Sequence, residues 1–166
     1  MWMLNFPFPY ESAEVAEAYS KTAQSLLAAI RCESGDQAKS TKEFLDALAR
    51  MKKLLSSDDY KYFSFQCWQE GVARYAELKV AEIATERNQP GAEFLALKDY
   101  RTFREVADSI HAGILTQLSN PSLSGLKRIT FYSFGAGVAL LLDKTQPGWK
   151  RKYFRNKFSL ENIFLK

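Results

Sequence analysis

The residue whose setting most suggests chemistry is Glu70. It stands in Trp68-Gln69-Glu70-Gly71-Val72-Ala73-Arg74-Tyr75, a carboxylate inside an apolar, aromatic helical stretch. The glycine beside it costs about 1 kcal/mol against alanine in mid-helix, so Gly71 marks a close approach by another helix or by a ligand. Arg74 at i+4 and Glu77 at i+7 offer a plainer reading, an arginine-paired carboxylate on a helix edge. The rest of the reactive inventory is short. One histidine, His111, and two cysteines, Cys32 and Cys67, rule out a self-contained zinc site of imidazoles and thiolates.

Trp68, Glu70, Gly71, Ala73 and Tyr75 resemble the Trp-X-Glu-Gly-X-Ala-X-Tyr helix of the gluzincin clan of zinc metallopeptidases, the aminopeptidase N type. A second stretch, Tyr132-Ser133-Phe134-Gly135-Ala136, is similar to the clan's Tyr-X-X-Gly-Ala helix and follows at a separation of 62 positions. The resemblance covers about residues 58–158. It implies that Glu70 is the third zinc ligand and that Tyr132 donates a hydrogen bond to the oxyanion of a tetrahedral intermediate. Trp68, Gly71, Ala73, Tyr75, Gly135 and Ala136 support these two. The departure from the pattern is equally clear. The clan's zinc also needs His-Glu-X-X-His, with its activated water, and no such motif occurs here.

Two explanations follow from the resemblance. The chain is the C-terminal part of a metallopeptidase whose front half lies elsewhere, or it is a degenerate relative that kept the scaffold without the metal. In either case the expectation is a chain that holds no cofactor alone, takes zinc only if the missing half is supplied, and does not hydrolyse peptides by itself. A coding stretch upstream with His-Glu-X-X-His would make the whole an active zinc hydrolase.

Other strings carry less. Ser124-Gly125-Leu126-Lys127 matches Ser-X-X-Lys without its companion motifs. Gly135-Ala136-Gly137 lacks the strand and third glycine of a dinucleotide loop and reads as helix packing. As a lone imidazole, His111 reads as structural or solvent-facing.

These residues need elements to hold them, and the periodicity is helical throughout. Ser12 caps a first helix running to about Ser34-Gly35. Ser40-Thr41-Lys42-Glu43 reads as the capping box of a second. Ser57-Asp58-Asp59 opens a third, longer helix that ends before Pro90-Gly91. A fourth spans Ala92 to Leu118. The stretch Ile129–Leu142 is apolar nearly all round, which predicts a buried helix, and its small residues predict another backbone close by. The last segment carries Trp149, Tyr153, Phe154 and Phe158, spaced as the core face of a helix with lysines outside. The expected fold is all-α, a bundle of five or six helices over residues 12–166, resembling the C-terminal half of a gluzincin catalytic domain.

The aperiodic apolar segment 1–11 precedes it. Trp2, Leu4, Phe6 and Phe8 must lie in an apolar groove, meet a protein partner such as the missing half, or stay disordered.

A chain of 166 residues with 46% apolar and 25% charged content is long enough to bury its own core. It has no run of about 20 apolar residues to span a membrane. The net charge of +4 is uneven: residues 143–166 hold +5 and the first 142 hold −1. A second functional class is therefore a small helical interaction protein. It would bind a protein through the apolar N-terminus or nucleic acid through Lys150, Arg151 and Lys152, nucleic acid being the lesser expectation. Two cysteines with no metal or redox spacing read as buried free thiols, which suits the cytoplasm.

Overall fold

A computed structural model of the chain describes residues 5–33 and 35–165. Every regular element among them is a helix, as the periodicity predicts. The Ser12 hydroxyl accepts from the Val15 amide and opens α1 (Ala13–Arg31). α2 (Gln37–Leu54) packs along α1. Its start corrects the expected capping box: Ser40 lies inside the first turn and Asp36 stands at the N-cap without a side-chain bond. Gln37 supplies the reason. Its amide donates to the Ala29 carbonyl at 3.0 Å, fastening the first turn of α2 to the end of α1.

Ser56 caps α3 (Ser57–Gln66), with α4 (Val72–Arg87) as its continuation, and a π turn, Cys67–Gly71, joins the two. The expected long helix is present, but with a wide turn at its centre. The expected helix from Ala92 to Leu118 is two. A single turn, α5 (Ala92–Leu95), is separated from α6 (Phe103–Ser119) by residues 96–102. The break is written in Thr102 and Glu105, which form a reciprocal capping box.

After the short α7 (Leu123–Leu126), α8 (Thr130–Thr145) runs through the middle of the bundle. It touches α1, α3, the π turn, α4 and α6. Phe131, Phe134, Ala136, Ala139, Leu141 and Leu142 are all at most 1% exposed, as its all-round apolarity predicts. Gly135 is the point of closest approach. A Cβ built there would lie 2.8 Å from the Cα atoms of both Cys67 and Gly71. The two helices therefore cross backbone on backbone, and only glycine fits on either side.

Of the N-terminal segment, the described Phe6 and Phe8 lie in an aromatic groove of the helices. Phe8 is 6% exposed, its ring edge-on to Phe131 at 5.2 Å, while Phe6 stacks on Tyr62 at 4.6 Å. Phe8 is thus buried in this chain's own core and Phe6 packs half-buried against it, so these two residues belong to the helical domain's packing. Trp2 and Leu4 lie outside the described residues.

The last segment departs furthest from expectation. Trp149–Asn156 is 3-10 helix, followed by a short turn at Glu161–Ile163. Trp149 is buried and Tyr153 half-buried, but Phe154 is 70% exposed and Phe158 42%. With three residues per turn, positions 149, 153 and 154 no longer share one face, and Phe158 lies past the end of the 3-10 helix in a left-handed turn. No described helix is long and apolar enough to cross a membrane.

Candidate functional site

The crossing of Gly71 and Gly135 sets the positions of the two candidate residues. Glu70 precedes Gly71 at the end of the π turn, and Tyr132 lies three residues before Gly135 on α8. Both line one open groove of about 420 Å³, completed by Ala73, Arg74, Glu77, Gln117, Ile129 and Ser133. Two side chains 62 positions apart are brought together because two glycines let their helices touch.

The carboxylate acts on the phenol. Burial pushes the Tyr132 phenol above its ordinary pKa, and the nearby Glu70 carboxylate pushes it further, while Arg128 pulls it back. At neutral pH the phenol is protonated and able to donate a hydrogen bond. No ion pair or hydrogen bond with a described residue engages Glu70, which corrects the plain reading of an Arg74-paired carboxylate. Arg74 turns instead to Glu77, at 2.6 Å. On the far wall the Ser133 hydroxyl donates to Gln117 Oε1 at 2.7 Å.

The supporting residues divide by role. Ala73 lines the groove and Ala136 is buried beneath it. Trp68 faces the C-terminal segment, stacked on Tyr153 at 4.6 Å with planes 9° apart, and its carbonyl accepts from the Tyr153 hydroxyl at 2.7 Å. The Tyr75 hydroxyl donates to Asp143 Oδ2 at 2.6 Å, and Trp149 Nε1 donates to Asp143 Oδ1 at 2.9 Å. Asp143 thus binds the motif helix, α8 and the C-terminal segment together, a role that its place in the sequence did not signal. Burial raises the Asp143 carboxyl, but the bonds from Tyr75, Trp149 and Lys150 outweigh burial and hold it below its ordinary pKa.

Zinc takes three nitrogen, sulfur or oxygen ligands plus water. The groove offers the Glu70 carboxylate, the Arg74-bound Glu77, a phenol and an amide, and no imidazole. His111 is exposed on a separate groove between α4 and α6, beside Glu82, Glu86, Arg104 and Asp108. Among the described residues no cluster of three His, Cys, Asp or Glu side chains could hold a metal. The donors that line this groove lack the imidazoles that a gluzincin-type zinc site needs.

The three residues of the nucleic-acid reading are not equivalent. Lys150 lies 3.2 Å from Asp143, the Arg151 guanidinium lies over Gly148, and Lys152 is half-buried. No family model, curated protein or solved structure matches the chain.

Proposed function

We propose that this chain is the helical half of a gluzincin-type peptidase site, supplying an acid from Glu70 and a phenol from Tyr132 but no imidazole. The observation that carries the reading is that these two side chains line one groove across the Gly71–Gly135 crossing. A phenol held protonated beside a carboxylate is suited to donating a hydrogen bond to a developing negative charge. By itself the chain hydrolyses no peptide. Activity belongs to an assembly in which another segment brings His-Glu-X-X-His to this groove, and without such a segment the chain is a degenerate scaffold. The two free thiols, Cys67 buried and Cys32 half-buried, accord with work in the reducing cytoplasm.

The test is equilibrium dialysis against zinc, first on this chain and then on the chain joined to any in-frame His-Glu-X-X-His segment encoded upstream. The expected result is no stoichiometric zinc on the chain alone. The joined protein should bind one EDTA-reversible zinc, lost in Glu70→Gln. Stoichiometric zinc on this chain alone would overturn the proposal, and so would zinc in the joined protein that ignores Glu70→Gln.

A further inference from the structure

The exposed rings of the C-terminal segment form an organised surface. Trp68 is its centre, with Tyr153 stacked on one face. Phe154 approaches Trp68 edge-on at 6.4 Å and Phe158 edge-on at 5.4 Å, while Phe65 lies 5.2 Å from Phe158. Phe158 is held in place at a cost. Its φ of 65° is a backbone conformation that bulky residues rarely adopt. The Ser64 hydroxyl donates to its carbonyl and ties the strained turn to α3. Strain of this kind persists only where surrounding structure enforces it, and it concentrates at binding sites.

Charge surrounds these rings. Residues 144–160 hold Lys144, Lys150, Arg151, Lys152, Arg155 and Lys157 and no carboxylate. The nearest acids in sequence are committed elsewhere. Asp143 is bound by Tyr75 and Trp149, and Glu161 accepts from the Tyr60 hydroxyl at 2.6 Å. Arg155 and Lys157, between the exposed rings in sequence, are themselves exposed and form no ion pair with a described residue.

We propose that the Trp68–Phe154–Phe158 surface, with Arg155 and Lys157 beside it, binds single-stranded nucleic acid, bases stacking on the rings and phosphates meeting the cations. This does not rest on the peptidase-type reading. An exposed ring offers a base the same stacking whatever its identity, and interleaved cations follow the backbone. A paired duplex hides its bases from such rings. A lipid surface fits less well, because insertion calls for a contiguous apolar face. In residues 144–160 the exposed large apolar side chains are the two phenylalanines, with cations between them.

The test is fluorescence anisotropy of the whole chain with fluorescein-labelled dT20 and U20, at 50 and 200 mM salt. The expected result is affinity that falls roughly tenfold across this range, as phosphate neutralisation requires. Phe154→Ala should weaken binding by roughly tenfold at fixed salt and leave the salt slope unchanged. The Arg155→Ala, Lys157→Ala double variant should flatten the slope. Phe154→Leu should bind as poorly as Phe154→Ala, and Phe154→Trp should keep the affinity. The proposal is overturned by no binding at 50 mM salt, by preference for duplex, or by full affinity in Phe154→Ala. Binding to phosphatidylserine vesicles with no binding to dT20 or U20 would also overturn it.

Discussion

Gly71 and Gly135 meet with no room for a side chain on either: a Cβ on Gly71 would come 2.8 Å from the carbonyl carbon of Gly135 and closer still to its Cα. Neither needs glycine for its backbone angles: Gly71 has φ −65° and ψ −43°, ordinary helix, and Gly135 sits inside α8 without a positive φ. The requirement is purely one of approach. The wide turn Cys67–Gly71 is the part of the long helix against which Gly135 rests.

The first prediction follows from that contact. Gly71→Ala or Gly135→Ala forces two buried backbones apart and should cost about 3 kcal/mol, at the upper end of overpacking effects. Gly113→Ala, in the middle of α6 with open space around its Cβ position, should stabilise by about 0.5–1 kcal/mol. Urea unfolding of the three variants checks this. Equal effects at Gly71 and Gly113 would contradict the crossing.

Asp143 gives a pH dependence. Its folded pKa lies below the unfolded value, so its contribution is full above the unfolded pKa and lost as pH falls through the folded one. Asp143→Asn weakens two charge-assisted bonds, from Tyr75 and Trp149, and should cost about 1–3 kcal/mol at pH 7. The gap between wild type and variant should begin to close as pH falls below about 4 and keep narrowing toward the folded pKa. Stability measured from pH 7 to pH 3 tests this, and a gap that widens toward acid would refute it.

The N-terminal segment separates by burial. Phe8→Ala removes a ring that is 6% exposed and should cost about 3 kcal/mol, near the low end for a core phenylalanine. Phe6→Ala, half-buried over Tyr62, should cost clearly less. Thermal melts rank the two. An indifferent Phe8→Ala would mean that the segment does not dock.

The helices were largely legible because periodicity and caps are local signals: Ser12 opens α1, and the apolar run of α8 is buried on almost every side. The misreadings came from tertiary effects. Ser40 fits a capping box, yet Gln37 bonding to Ala29 starts α2 earlier. Gly71 signalled a close approach without revealing a π turn, because the extra residue in the turn depends on what crosses it. The Thr102–Glu105 box is a local signal too, but the continuous apolar spacing around it masks the break. Spacing alone put Phe154 and Phe158 in the core, since it assumed 3.6 residues per turn where the chain takes a 3-10 path to Asn156 and then a left-handed turn at Phe158. The groove of Glu70 and Tyr132 was approached through motif resemblance, whereas Asp143, which ties its walls together, belongs to no motif.

The sharpest measurement is the titration of Tyr132 by fluorine NMR, with 3-fluorotyrosine at that position. A groove shared with Glu70 predicts that Glu70→Gln lowers the phenol's pKa, since it removes the carboxylate that raises it. Arg128→Gln should raise it, since it removes the opposing cation. A Tyr132 pKa that stays fixed in Glu70→Gln would show that the acid and the phenol do not face one another, and the two-residue site would be gone.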